Sequence, residues 1–273
     1  MAAPSILPFV PTHRRGITIG AIFTGVGLGI AASGTLIPLL LKLGVGAVWL
    51  GLGGLSAVLT VLSWGGFPRA APPVPAAAGA SGRISFALLA VIVAYGLNAV
   101  ALVPHMVFLV DYVARGLDRG IAAGAVTWVA FGVGALIGPT AAGAVADRIG
   151  FKIALRLAFA IQLGAVALLL ASTTTPVLLL SAAIAGAFAP AVAALMLGRV
   201  NTLTIPGSDT ARAGWSWATT AWAVGQTAGA YGFSYLFARS ADYSLLFASG
   251  CALLAMALAC DLASGYSSTR SSR

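Results

Sequence analysis

Charge is what this chain has least of. Only 8% of its 273 residues are Asp, Glu, Lys or Arg, about a third of the share in soluble domains. With 60% hydrophobic residues, the chain has too little polar surface to cover a water-soluble globule. Glutamate is absent altogether and all six acidic residues are Asp, which removes the His-Glu-x-x-His pattern of zinc peptidases. Two histidines, His13 and His105, are too few for a metal cluster, so neither a metal nor a cofactor is expected. Two cysteines, Cys251 and Cys260, lie in one apolar run. Helical geometry separates them by about 13 Å of rise and points them to different faces, so they read as small packers rather than a disulfide. No Gly-x-Ser-x-Gly elbow and no Walker loop occurs, and Ser216 in Gly214-Trp215-Ser216-Trp217 has no evident base. An intramembrane enzyme is therefore rejected.

What is present is a series of apolar runs about 20 residues long, the length a membrane helix needs. They predict an all-α, polytopic membrane protein, not a barrel of short alternating strands. About eight spans are expected, near 16–41, 46–65, 84–110, 120–145, 153–172, 176–199, 213–238 and 243–264. Residues 66–83, rich in Pro, Ala and Gly, form the one linker. Residues 1–12 are uncharged and His13-Arg14-Arg15 abut a long Gly-rich span, which is neither a secretory nor a twin-arginine signal.

The net charge of +9 comes from basic residues scattered singly between apolar segments. No basic stripe exists for nucleic acid, whereas the scatter suits orientation in a lipid bilayer. A cytoplasmic N-terminus puts Arg14, Arg15, Arg69, Arg83, Arg148, Lys152, Arg156, Arg199, Arg212, Arg270 and Arg273 inside, against Lys42, Arg115, Arg119 and Arg239 outside. The bias predicts that both termini are cytoplasmic.

Residues 8–34 can be laid on 206–232 without a gap. Seven positions match: Pro8/Pro206, Thr12/Thr210, Arg14/Arg212, Gly16/Gly214, Val26/Val224, Gly27/Gly225 and Gly34/Gly232. Such a parallel repeat pairs the first span with the seventh, as in transporters built from two six-helix halves. The chain then divides into the last two helices of a first half (1–65), a cytoplasmic linker (66–83), a six-helix second half (84–264) and a cytoplasmic tail (265–273). Four helices would precede it, and a transport-inactive fragment that needs a partner for them is the alternative reading.

One charged island stands out. Gly143-Ala-Val-Ala-Asp147-Arg148-Ile-Gly150-Phe151-Lys152 places three charges within six positions between two apolar spans. Arg148 and Lys152 suit a loop at an anionic leaflet, but a plain anchor explains neither Asp147 nor the glycine spacing. Gly-x-x-x-Asp-Arg-x-Gly-x-Lys resembles the loop motif between the second and third helices of each half in the major facilitator superfamily. Phe151 stands where that family commonly has a second basic residue. Gly132-Val-Gly134-Ala-Leu-Ile-Gly138-Pro139, Pro104-His105-Met-Val-Phe108-Leu-Val-Asp111-Tyr112, Gly214-Trp215-Ser216 and Gly225-Gln226 together are similar to the YbfB-like branch of that superfamily. The resemblance implies a partial major facilitator fold in a bacterial cytoplasmic (inner) membrane. It also implies secondary active transport by alternating access of a small organic solute or drug, with protons as a candidate coupling ion. In the family this loop locks one conformation of the rocking cycle, and the resemblance carries that role to Gly143, Asp147, Arg148, Gly150 and Lys152.

Two helical faces are candidate cavity walls. Tyr95, Asn98, Leu102 and His105 share one face of the third span, with Asn98 near mid-membrane and Pro104 placed to kink the helix before His105. Polar groups at that depth face protein or water, not lipid, so interhelical hydrogen bonding competes with substrate contact. On the seventh span Trp215, Thr219, Trp222, Gln226, Gly229 and Phe233 line up; Trp215 suits an interfacial anchor, and Thr219, Trp222 and Gln226 the cavity. The fourth span adds Thr127 and Trp128. Gly16, Gly20, Gly25 and Gly29 on the first span, with the glycines of 132–139, are expected to serve packing and bending. Asp111, Arg115, Asp118 and Arg119 form a solvated rim. No carboxylate is expected deep in a span, which leaves His105 as the local candidate for proton coupling.

Overall fold

The computed structural model describes residues 10–66, 84–205 and 207–270, the side chains of Pro38 and of residues 265–270 excepted. Among the described residues all regular structure is helical, as it must be where no water is available to backbone amides. Eight rods follow one another: α1 (Arg15–Leu41), α2 (Val45–Ser63), α3 (Phe86–Ala101), α4 (Gly120–Ile149), α5 (Phe151–Ala171), α6 (Thr175–Leu203), α7 (Asp209–Ser240) and α8 (Tyr243–Arg270). The rod begun by α3 continues through Gly116. Seven of the eight are long and apolar enough to cross a membrane. The exception is α7, a 32-residue helix whose sequence is interrupted by Ser, Thr, Gly and Trp.

A helix covers each of the eight expected spans, seven of them as candidate membrane crossings, and α8 runs on to Arg270, through most of the segment read as a tail. Of the linker read at 66–83 only Gly66 is described, ending a short 3-10 turn. The Pro8/Pro206 pair of the repeat, Arg69, Arg83 and Arg273 lie outside the described residues.

Helix ends follow local chemistry. Ser85 and Ser208 cap α3 and α7, each hydroxyl accepting from the amide three residues on (Leu88 and Ala211). Gly150 alone separates α4 from α5. Its φ of +83° is a left-handed conformation open to glycine at no steric cost, which accounts for the second glycine of the charged motif. Past Ala101 the third rod widens into π-helical turns at Pro104–Phe108 and Tyr112–Gly116. The first starts at the proline expected to kink it, where the missing amide disrupts the α ladder.

Between apolar helices in lipid, close packing replaces the hydrophobic driving force. In this chain α1, α4 and α6 form the tightest contact. A Cβ added to Gly16 would strike the Gly143 carbonyl, one on Gly20 the Pro139 carbonyl and one on Gly27 the backbone of Ala135. The order runs backwards along α4, so the pair is antiparallel, and Thr24 and Thr140 meet midway through their hydroxyls at 2.9 Å. On the other side of α4, Gly134 and Gly138 lie on the backbone of Ala183 and Ala187, and Gly186 lies on Phe131. Gly25 and Gly29 differ from expectation: a Cβ on either would meet nothing within 4 Å. They sit on the side of α1 turned away from α4, one step out of phase with the packing stripe.

Matched glycines of the repeat also differ in role. Gly16 and Gly27 contact α4, whereas Gly214 and Gly225 contact residues of α3. Around this frame α3 packs on α7 and α8, and α5 on α6 and α8. The two larger of four apolar clusters among the described residues fill most of the block. Leu88, Leu155, Phe159, Leu195 and Met196 belong to one, and Leu102, Leu109, Phe131, Val166, Leu178 and Phe247 to the other. No residue of α2 is buried, and its main neighbour is α1.

Gly134→Val should lower thermal stability in detergent by about 1–3 kcal/mol or more, because two backbones must part. Gly25→Ala should stay within about 0.5 kcal/mol of the parent.

Candidate functional site

The charged motif closes the α1–α4 contact at one end. The first turn of α1 holds no acidic residue and its N-cap, Arg14, makes no side-chain cap bond, so its first amides need an acceptor from elsewhere. Asp147, near the end of α4, supplies it. One carboxylate oxygen accepts from the Gly16 amide at 2.7 Å and the other from the Ile17 amide at 2.9 Å. The contact joins a negative charge to the positive end of the α1 dipole. Gly16 and Gly143 make it possible, since a side chain at either would hold the helices apart. Arg148 is exposed and Lys152 half-buried. The Phe151 ring lies on Gly198 of α6 and packs with Ile19 and Leu197, so this departure from the family pattern is used for packing.

The face predicted on α3 is enclosed. Tyr95, Asn98, Leu102 and His105 are all buried. Asn98 donates to Gln162 of α5 at 2.7 Å. His105 shares a 2.9 Å hydrogen bond with Ser181 of α6, which donates in turn to the Ala165 carbonyl. The rings of His105 and Phe247 meet in a T-shaped pair. Tyr95 stacks on Trp222 with ring centroids 4.8 Å apart. Helix-to-helix bonding is thus what Asn98 and His105 do in this conformation. Asn98 Oδ1, Gln162 Nε2 and His105 Nδ1 have no partner among the described residues.

On α7, Gln226 is half-buried and donates to the Ala99 carbonyl at 2.8 Å, with Met106 Sδ beside it at 3.6 Å. Thr219 is exposed, and its hydroxyl donates to the Trp215 and Ser216 carbonyls. On α4, Thr127 is buried and returns its hydroxyl to the Ala123 carbonyl. Trp128 stacks on Phe131 and faces Gly34 of α1. The structure therefore groups Tyr95, Trp222 and Gln226 at the α3–α7 contact, and sets Thr127 and Trp128 on α4.

One carboxylate near the end of the span Tyr243–Ser264 is enclosed by protein: Asp261. It is fully buried in α8 and accepts at Oδ2 from Arg156 Nε at 2.7 Å. Arg156 Nη2 also donates to the Asp261 carbonyl at 3.0 Å. Arg156 and Arg199, two of the charges assigned to the cytoplasmic side, are not free surface cations: Arg156 is an interhelical partner, and Arg199 is 7% exposed in α6. Asp261 was legible as the one acid within residues 243–264, and Gln162 as the one amide within 153–172. Their partners were not, because they lie on other helices. At the other end of α3, Asp111 pairs with Arg115 at 3.2 Å and accepts from the Tyr243 hydroxyl at 2.5 Å. Arg119 donates to the Thr173 carbonyl and the Thr175 hydroxyl. Of the expected rim, the Asp111–Arg115 pair is seen, while Arg119 is bonded to the turn between α5 and α6. Cys251 and Cys260 are free thiols.

Long apolar rods packed through glycine, with interhelical polar bonds inside, define a multi-pass helical membrane protein. The sequence matches the family described as "Uncharacterised MFS-type transporter YbfB" over residues 1–262; the chain belongs to that family of the major facilitator superfamily, whose members are transporters and not enzymes. Its fold is similar to that of a solved bacterial protein described as "a bacterial homologue of iron transporter ferroportin in outward-facing state". The TM-score is 0.61 and the identity 19%, over 96% of this chain and 65% of that one. At that identity the likeness carries the fold alone. No curated protein matches the sequence.

Asp261→Ala should cost about 3–5 kcal/mol by leaving a guanidinium without its charge partner. Arg115→Ala, at the exposed rim, should cost about 0–1 kcal/mol. Thermal unfolding of the two purified variants in one detergent compares them directly.

Proposed function

We propose secondary active transport by alternating access, carrying a small organic solute or drug across a bacterial inner membrane with both termini cytoplasmic. The observation that carries this reading is the Asp147 clasp. It joins a helix of the 84–264 block to α1, and it consists of two directional bonds that a rocking motion breaks or makes as a unit. Hydrogen bonds to a charged group contribute about 1.5–3 kcal/mol each, enough to bias a two-state balance strongly without fixing it. With Gly143 allowing the approach, Gly150 turning the chain, and Arg148 and Lys152 at the lipid headgroups, the motif acts as a conformational latch at the cytoplasmic side.

The substrate face in this proposal is the α3–α7 seam. Trp222, stacked on Tyr95, offers an aromatic wall, and Gln226 and Thr219 offer polar contacts beside it. That combination suits an organic molecule with apolar and polar parts. Asn98, Thr127 and Trp128 are candidates to join as the helices part. Protons are the candidate coupling ion, with His105 the one histidine on the rod that carries Tyr95 and Asn98.

Substrate-dependent thermal shifts across a panel of organic solutes and drugs would find a ligand, and uptake into proteoliposomes would follow. Asp147→Ala should cut the transport rate roughly tenfold or more with membrane insertion intact; an unchanged rate would reduce the motif to an anchor. Gln226→Ala should raise KM while leaving kcat near the parent value. A change in expression alone would make Gln226 a packing residue.

A further inference from the structure

A polar layer divides the two larger apolar clusters. On α3 the buried members of the first cluster end at Tyr95 and those of the second begin at Ala101; on α5 the same boundary falls between Phe159 and Val166. Asn98 stands at the boundary on α3 and Gln162 at the boundary on α5, both fully buried. Each amide has a buried alanine on either adjoining turn: Ala94 and Ala101 beside Asn98, Ala158 and Ala165 beside Gln162. These are the positions that share a helix face with the amide. α3 and α5 are each packed on α8, and the two amides reach across between them. With alanine on both sides, the space around the amide heads is not filled by larger side chains from the same face of either helix.

The pair is half satisfied. Asn98 Nδ2 donates to Gln162 Oε1 at 2.7 Å, while Asn98 Oδ1 and Gln162 Nε2 are buried with no partner among the described residues. One is an acceptor and the other a donor. Turning both amides over exchanges the atoms but again leaves one carbonyl oxygen and one N–H group unused. A buried polar atom without a hydrogen bond is costly. Both amides are neutral, so the pair calls for no ion. It matches a small neutral molecule that donates and accepts at once. Water is the smallest such molecule: it gives one O–H to the oxygen and takes the N–H at its own lone pair, and two partners suffice to hold a buried water.

We propose that Asn98 and Gln162 form a built site for a bound water molecule, bridging α3 and α5 in the polar layer between the two apolar clusters. The site goes beyond the transport reading and does not rest on it, since it lies inside the six-helix block whatever the chain carries. A bridging water is nearly as good as a direct hydrogen bond. It also follows small displacements of α3 against α5 that a closed pair of amides resists.

The test uses the full chain in lipid nanodiscs, with nitrogen-15 in Asn, Gln and Met. The sequence has two Asn (Asn98 and Asn201), two Gln (Gln162 and Gln226) and four Met, so single substitutions assign the signals. Magnetisation is passed from water protons to the protein, and its build-up is timed at each side-chain amide. The backbone amide of Met196, buried in the first cluster, is the dry reference. The Gln162 amide should gain water magnetisation several-fold faster than Met196, and Asn98→Leu should bring it down to the Met196 rate. Build-up at Gln162 no faster than at Met196 in the parent overturns the site. Fast build-up that survives Asn98→Leu overturns it as well, because the water then does not rest on the pair. Should Asn98→Leu fail to fold, Gln162→Leu read at the Asn98 amide is the reciprocal measurement, with the same two outcomes.

Discussion

Across a membrane core no water is available, so each polar group must find its partner inside the protein. That constraint organises this chain at every scale. It makes the backbone helical, and it draws Asn98 to Gln162 and His105 to Ser181. It draws Arg156 to Asp261, whose carboxylate is fully buried. It also explains the α1 terminus, whose amides have no local acceptor and are met by Asp147 from a helix more than a hundred residues away in sequence.

Small residues set how close the partners come. Because Gly16 and Gly20 face Gly143 and Pro139 without side chains between them, the α1 amides fall within hydrogen-bond reach of one carboxylate. The second face of α4 repeats the device against α6 through Gly134, Gly138 and Gly186. Moving α4 therefore moves two interfaces at once, and the Asp147 bonds lie at the end of that lever. Phe151 fits the same logic: lacking a second cation at this position, the chain uses the ring to fill the space over Gly198.

Much of the fold was readable because a membrane helix is a local object. Twenty apolar residues identify a span whatever surrounds them, and the charged island between two spans marks a turn. The motif glycines were readable too, since a left-handed φ at Gly150 and a close approach at Gly143 both exclude a Cβ. Phase and partnership were harder. Gly25 and Gly29 belong to the same glycine-rich run as Gly20 and Gly27, yet only the latter two face α4. Asp261 and Arg156 looked like boundary charges because each sits near the end of its apolar run. Their pairing joins α8 to α5 and depends on how the bundle closes.

By itself the sequence determined that the chain is a bundle of membrane helices, roughly where along the chain they lie, and which loop carries the facilitator motif. These are consequences of composition, length and turn chemistry, all confined to neighbours along the chain. Only the tertiary structure decided that Asp147 caps α1, that Asn98 and His105 are spent on other helices, and that Asp261 is buried against the Arg156 guanidinium. The physical reason is range: hydropathy acts residue by residue, while satisfying a buried polar atom depends on the angle and register of helices far apart in sequence.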